Sequence, residues 1–393
     1  MKIALVIYQF SEARGGVERF CAEFTRGLVR RGHEVHLFAQ KAEGVPDGAA
    51  HHPVPVRKWT SWMKHLSFAE GAERLLRERS FDLIQTFSRT TYQDVYRVGG
   101  GSHQSYLRSV GMVDGGWWSR LKQSVSLRDR AILRLERLGF RPGAYRKIVC
   151  VSNRCRGDLL SDFEIPAGDV EVIHNGIDLR RFHPENRERW RKMTRSQFGI
   201  PEDEPVFLFA GTGFRRKGLR HALEALATLA PGEKARLWVL GRGETGHYRR
   251  LAQKLRLKDR VYFLGPRDTI EPFYAAADAF LFPTLYDPFP NACLEALASG
   301  LPVVLSRCAG VSELMTHGVD GFILEDPRSA EEIGRAIRPL LDPATRERMG
   351  AAARRTAEKR SMETCVDEYL SLYGRVVKQK PGNGSRQAEG RRQ

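Results

Sequence analysis

Asp287 and Glu295 stand eight residues apart in Leu285-Tyr286-Asp287-Pro288-Phe289-Pro290-Asn291-Ala292-Cys293-Leu294-Glu295, with two prolines between them. Proline interrupts a helix interior, so the two carboxylates cannot share one helical face and Asp287 must lie in a loop. Asn291 is a natural N-cap, which puts Glu295 near the start of the following helix, where free backbone N–H groups suit a phosphate. The spacing therefore predicts two carboxylates flanking one anion pocket. Each can accept two hydroxyls, so the pair suits a hexose on one side and a ribose on the other.

Cations with matching chemistry occur in Gly211-Thr212-Gly213-Phe214-Arg215-Arg216-Lys217-Gly218. Where this loop meets a helix, Arg216 and Lys217 add to the helix dipole as a diphosphate clamp that stabilises a leaving nucleotide without a metal. The plain alternative is a solvated basic face. Gly15-Gly16 follows the first apolar run and opens a helix, a loop whose bare N–H groups admit an oxyanion closely, or else a simple turn. Gly241-Arg242-Gly243-Glu244-Thr245-Gly246 matches the dinucleotide fingerprint, but the next apolar run, Val261-Tyr262-Phe263-Leu264, ends in Gly265-Pro266-Arg267 and lacks the acid that would hold a nicotinamide ribose. Gly15, Gly16, Gly213, Gly241, Arg267 and the segment from Asp287 to Asn291 (Pro288, Phe289 and Pro290 included) join Arg216, Lys217 and Glu295 as the expected donor-side residues.

Elements that position these groups alternate as βαβ units, the pattern of parallel sheets covered on both faces. Strands are expected at Lys2 to Ile7, Glu34 to Phe38, Asp82 to Thr86 and Lys147 to Ser152. A second set falls at Val206 to Ala210, Arg236 to Leu240, Val261 to Leu264, Ala279 to Phe282 and Pro302 to Leu305. Val17, Phe20, Cys21, Phe24 and Leu28 fall at helical spacing and are followed by Gly32. Further helices are expected at Leu219 to Leu229, His247 to Leu255, Glu271 to Ala277 and Asn291 to Ser299. The polar stretch from Phe182 to Arg195 reads as an interdomain hinge, which divides the chain into residues 1–181 and 182–361. A last amphipathic helix, 362–378, is expected to pack back on the first domain, ahead of a disordered basic tail, 379–393.

At 393 residues, 41% hydrophobic and 28% charged, the chain has the composition of a two-domain globular protein. The first apolar run is too short for a signal peptide, and no stretch approaches the length that crosses a bilayer. Six scattered cysteines show no zinc spacing and read as reduced core thiols. A net charge of +17 predicts attraction to polyanions. None of the zinc-finger, RNP or Walker patterns that would direct that charge to nucleic acid is present. Arg57-Lys58-Trp59-Thr60-Ser61-Trp62-Met63-Lys64 and Trp117-Trp118-Ser119-Arg120-Leu121-Lys122, running on to Arg128-Asp129-Arg130, interleave Trp with cations. That mixture suits an anionic membrane surface, or else the lining of an acceptor cleft.

At these residues the chain resembles the retaining glycosyltransferases of family 4, whose two Rossmann-like domains form the GT-B fold, α/β with parallel sheets facing across a cleft. The resemblance rests on Gly15-Gly16, Val151-Ser152-Asn153, Asn175-Gly176-Ile177-Asp178, Arg216-Lys217-Gly218 and the E-x7-E-like element ending at Glu295. It implies that Arg216 and Lys217 hold the donor diphosphate, that Glu295 binds the ribose and that Asp287 contacts hydroxyls of the donor sugar. Asp287 replaces the usual Glu, which shortens the reach by about 1.5 Å. Tyr92-Gln93-Asp94-Val95-Tyr96, Gly99-Gly100-Gly101-Ser102-His103 and Phe273-Tyr274-Ala275-Ala276-Ala277-Asp278 look like the lipopolysaccharide core glucosyltransferases of Gram-negative bacteria. By that resemblance His103 falls beside the anomeric centre as a catalytic and acceptor-side candidate, and Asp94 is an acceptor contact or base. Transfer of a hexose from a UDP-sugar, such as UDP-glucose, to a lipopolysaccharide core or other lipid-linked glycan is then expected, without metal or other cofactor, at the cytoplasmic face of the bacterial inner membrane. A sugar-nucleotide epimerase on the same architecture is the alternative.

Overall fold

Runs of apolar residues too short for helices become strands buried on both faces, and they collect into two parallel sheets. The computed structural model describes residues 1–11, 15–57, 60–114, 126–230 and 232–379. In the first domain β1 (Lys2–Val6), β3 (Glu34–Ala39), β5 (Ala49–Pro53), β6 (Leu83–Thr86), β7 (Val95–Val98), β8 (Lys147–Cys150) and β9 (Val170–Val172) order as β5-β3-β1-β6-β7-β8-β9. A small ribbon pairs β2 (Gln9–Phe10) with β4 (Lys41–Ala42). The second domain holds β10 (Val206–Ala210), β11 (Arg236–Leu240), β12 (Val261–Gly265), β13 (Ala279–Phe282), β14 (Val303–Ser306) and β15 (Gly321–Leu324), ordered β12-β11-β10-β13-β14-β15. Strand pairs in both sheets are parallel, and β10 lies at the centre of its sheet with all five residues buried. The architecture is the two-domain parallel α/β fold that the sequence implies.

Helices connect the strands in the order α1 (Gly16–Arg30), α2 (Ser61–Arg77), α3 (His103–Asp114), α4 (Leu127–Gly139) and α5 (Asn153–Asp162) in the first domain. The second contains α6 (Asn186–Ser196), α7 (Leu219–Leu226), α8 (Gly246–Lys254), α9 (Glu271–Ala276), α10 (Asn291–Ala298), α11 (Ala330–Ile337) and α12 (Pro343–Glu358), before α13 (Met362–Lys378) closes the described chain. On α1 the side chains at helical spacing, Phe20, Cys21, Phe24 and Leu28, are buried. They pack against α13, where Phe24 meets Tyr369 edge to face at 4.9 Å. A Cβ on Gly27 would come within 2.6 Å of the Val366 side chain, so the two helices cross closely there. Helix α13 thus belongs to the core of the first domain, although it follows the second in sequence.

The expected hinge at Phe182 to Arg195 is corrected. Residues 186–196 form α6, which packs on α9, and Phe182 is fully buried. Its charge is internal to the second domain: Arg195, wholly buried, and Arg191 bond to the carboxylate of Asp278 at 3.0 and 2.9 Å, and Asp278 also accepts the backbone N–H of Val206 at 2.9 Å. The chain passes between domains just before α6 and just after α12. There the two segments run side by side, with Ile177 N–H donating to Arg360 at 3.0 Å and Met362 N–H donating to Ile177 at 2.9 Å. Lys58, Trp59, the 117–122 segment and the tail from residue 380 lie outside the described residues. No helix among the described residues is long and apolar enough to cross a membrane.

Candidate active site

Glycines set the floor of the cleft. Gly241 follows β11 with φ of +122°, and a Cβ there would lie 1.9 Å from the carbonyl oxygen of Gly211 just after β10, so only glycine lets the chain approach so closely past these two strand ends. Gly218 precedes α7 with φ of +80°, and a Cβ on it would meet the Pro283 carbonyl at 1.9 Å. The loop before α7 is therefore pressed against the loop after β13. Leu285 N–H and Thr284 Oγ1 donate to the Arg216 carbonyl at 2.9 and 3.1 Å, while the Arg216 guanidinium donates to the carbonyl of Tyr286. Two loops fastened in this way aim Arg216 and Lys217 into the space between the domains.

That space has two adjoining lobes. The first, 440 Å³, is lined by Gly15 and Gly16 from the first domain and by Arg216, Lys217, Arg267 and Glu295 from the second, with Gly241 in its floor. The second, 380 Å³, shares Gly16, Arg216, Lys217, Pro290 and Asn291 and adds Asp287, Pro288 and Phe289 on one side and Arg97, Asn175 and Tyr106 on the other. The expected donor-side residues are thus brought together with one exception. Gly213 lines neither lobe; its φ of +79° makes the turn that carries the clamp.

Charge in the cleft is unbalanced. Asp287 is ion-paired with Lys217 and lies 3.7 Å from Arg216, which leaves two cations against one carboxylate. Burial, and then the neighbouring Arg216, pull the Lys217 ammonium well below its usual pKa, and burial also lowers that of Arg216. Both sites favour an anion that would restore solvation to them. Asp287 is held at its backbone, its N–H donating to Cys308 at 3.1 Å and its carbonyl accepting from Gly310 at 3.0 Å. The Pro288 carbonyl accepts from Ser152 of the first domain at 2.8 Å.

Glu295 is buried, with one oxygen accepting from Tyr274 Oη at 2.8 Å and the other from Arg19 at 2.9 Å. Burial and then the charge of Glu295 push the Tyr274 phenol well up, so it remains a donor. The expected N-cap role of Asn291 is corrected: Pro290 holds the cap position and Asn291 is the first residue of α10. Its side chain instead spans the domains, donating to the Gly16 carbonyl at 3.0 Å and accepting from Asn175 at 2.7 Å. Asn175 in turn accepts from Arg97 at 2.6 Å. An arginine can only donate, so this chain of amides has one orientation.

Two expected acceptor-side residues lie elsewhere. Asp94, fully buried, precedes β7 at the edge of the sheet away from the cleft. It accepts the Ile84 N–H at 3.0 Å and lies 3.4 Å from Arg146, so the predicted acceptor contact is corrected to a structural one. His103 begins α3, where its Nε2 meets Asp129 at 2.8 Å, and it lines neither lobe. Burial lowers its pKa, with the Asp129 bond opposing. Tyr106, one turn on and stacked against it at 5.7 Å, occupies the second lobe in its place. Arg19 and Arg97 were not foreseen; Arg19 was legible as the residue one turn beyond Gly15-Gly16, but Arg97 carries no local signal.

Comparison with known proteins finds relatives among glycosyltransferases. The chain is 27% identical over 390 residues to an uncharacterized glycosyltransferase of Methanocaldococcus jannaschii, covering 95% of this chain and 98% of that one. It is 26% identical over 344 residues to the lipopolysaccharide glucosyltransferase WaaG of Escherichia coli, covering 87% and 90%. The crystal structure of WaaG, a glycosyltransferase involved in lipopolysaccharide biosynthesis, superimposes with a TM-score of 0.80 at 23% identity over 94% of this chain and 99% of that one. Anabaena HepE, solved with UDP and glucose, shares the fold with a TM-score of 0.72 at 19% identity, over 95% and 100% of the two chains. Residues 14–181 match Glycosyltransferase Family 4 and residues 191–356 match Glycosyl transferases group 1. Between them these two matches account for both domains of a GT-B fold, and the chain belongs to this family of glycosyltransferases.

Proposed function

We propose that the protein moves a hexose, with retention of configuration and without a metal ion, from a UDP-sugar such as UDP-glucose to a lipopolysaccharide core or related lipid-linked glycan. The observation that carries this reading is the convergence of Arg216, Lys217 and Glu295 on one cleft between the domains. A diphosphate bound at the two cations places its ribose toward Glu295 and its sugar toward Asp287 and the second lobe. The acceptor hydroxyl attacks the anomeric carbon on the face from which the diphosphate departs; the bond from that carbon to the phosphate oxygen breaks, and the departing oxygen takes the hydroxyl proton. No protein nucleophile is needed. Arg216 and Lys217 stabilise the charge that develops on the diphosphate, and the two lobes hold the reactants in contact, so the rate enhancement is electrostatic and positional.

Support for donor and acceptor comes from WaaG, a lipopolysaccharide glucosyltransferase, and from HepE, which was solved with UDP and glucose. The net charge of +17, together with Arg57 ahead of α2 and Trp62 and Lys64 in its first turn, supports peripheral binding to anionic lipid at the cytoplasmic face. The test is transfer from UDP-, ADP- and GDP-hexoses to lipopolysaccharide from bacteria with truncated cores, with the anomeric configuration of the product read by NMR. Expected are a retained linkage and a rate unchanged by EDTA. Absence of transfer from every donor, or an inverted product, overturns the reading.

A further inference from the structure

The donor site draws one of its fixed points from the other domain. Arg19 lies in the first turn of α1 and donates from one terminal nitrogen to Glu295 on α10 at 2.9 Å, and both residues line the first lobe. The opposite oxygen of the same carboxylate is tied to Tyr274 at 2.8 Å, so Glu295 is gripped from both sides in a single orientation. One turn earlier on each helix, Asn291 bonds the Gly16 carbonyl at 3.0 Å. Two rungs therefore join the starts of α1 and α10 across the domain boundary. Arg19 has spare capacity as well, for its Nε is buried and has no hydrogen-bond partner among the described residues.

We propose that Arg19 is a positioning residue for nucleotide recognition: it fixes the Glu295 carboxylate from the opposite domain, so that full affinity for the ribose exists only when the two domains are apposed. This rests on the reading that Glu295 holds the ribose. Each carboxylate oxygen has two acceptor sites, and each is half used by Arg19 or Tyr274, which leaves one per oxygen for the two ribose hydroxyls. Without Arg19 the carboxylate can rotate about its own stem and loses a neutralising charge in a buried site, and both effects weaken its hold on the ribose. The cations that stabilise the transition state are untouched. The loss consequently falls on donor binding rather than on the chemical step.

The experiment measures binding of UDP, ADP and GDP by calorimetry, and donor KM and kcat, in the full-length protein and in Arg19→Ala, Arg19→Lys, Glu295→Gln and the Arg19→Ala/Glu295→Gln double variant. Thermal unfolding of each variant identifies any that fail to fold, and Arg19→Lys, which keeps the charge, stands in where Arg19→Ala does. The tightest nucleotide is also compared with its 2′-deoxy counterpart. Expected for Arg19→Ala is a rise in Kd and donor KM of about tenfold, the worth of one charge-assisted hydrogen bond, with kcat changed less than threefold and partial recovery in Arg19→Lys. In the Glu295→Gln background the same change should cost less than twofold, because the two residues act as one unit. Multiplicative losses in the double variant, or a loss confined to kcat, overturn the proposal. Discrimination against the 2′-deoxynucleotide that survives in Glu295→Gln overturns instead the assignment of Glu295 to the ribose.

Discussion

Replacing Glu23 with glutamine should stabilise the protein above neutral pH and leave it almost unchanged near pH 5. Glu23 follows Arg19 by one turn of α1, facing the interdomain surface. Burial, and then the negative charges of Asp178 and Glu295, push its carboxyl up from 4.5 to about 7, with Arg181 and Arg19 opposing. Between those two values the folded protein keeps a proton that the unfolded chain releases, so the free energy of unfolding falls as pH rises through the window. At about 1.4 kcal/mol per pH unit the full displacement is worth about 3 kcal/mol, and solvent at the partly exposed edge of the site reduces this to about 1–3 kcal/mol. Glutamine keeps the shape and removes the ionisation. Urea unfolding of both proteins at pH 5 and pH 8, followed by tryptophan fluorescence and far-UV circular dichroism, reads the difference directly. The two proteins should nearly coincide at pH 5 and separate at pH 8 with the variant more stable. Parallel pH dependences, or a wild type that is the more stable at pH 8, would refute the reasoning.

Other contacts of the cleft and of the two cores have measurable consequences. Arg216→Ala and Lys217→Ala should each lower kcat by about 10² to 10³ with a folded protein retained, as expected for groups that face developing charge, and steady-state kinetics with thermal unfolding checks both halves. Asp94→Asn should cost about 1–3 kcal/mol of stability, because it weakens a buried hold on Arg146 and the Ile84 N–H, and should leave the acceptor KM of the folded fraction within twofold. At Asp278 burial alone would raise the carboxyl, but Arg191 and Arg195 outweigh it and hold it below 3.8. Its contribution is therefore present at neutral pH and lost as pH falls below about 4, and Asp278→Asn should destabilise the second domain by about 3–5 kcal/mol at pH 7 in denaturant titrations.

Much of the core was legible because its physics is local. Val206–Ala210 and Arg236–Leu240 are apolar runs bounded by Gly or Pro, and burial on both faces leaves them no other reading. Ala49–Pro53, Ala-Ala-His-His-Pro, forms the outer strand of its sheet through pairing with β3 alone, and neither its composition nor its periodicity announces a strand. Helix α6 looked like a solvated linker because its arginines are charged; what buries them is Asp278, more than eighty residues away in sequence. The same limit applies in the cleft. Arg216, Lys217 and Glu295 were readable from their own segments, whereas Arg97, on β7, and the lateral role of Asn291 depend on how the two domains face each other. Asp94 and His103 were assigned by resemblance to a family, and the sheet direction and the Asp129 bond take them out of the cleft.

Helix α13 carries a consequence for biosynthesis. Met362, Val366, Tyr369 and Tyr373 complete a core begun by Ile3, Leu5, Phe20 and Phe24. A ribosome reaches those closing residues only after translating the whole intervening domain, roughly 180 residues or on the order of ten seconds or more at ordinary elongation rates. Throughout that interval the amino-terminal half lacks the helix that covers this part of its core, so the first domain can complete its packing only after the second has been made.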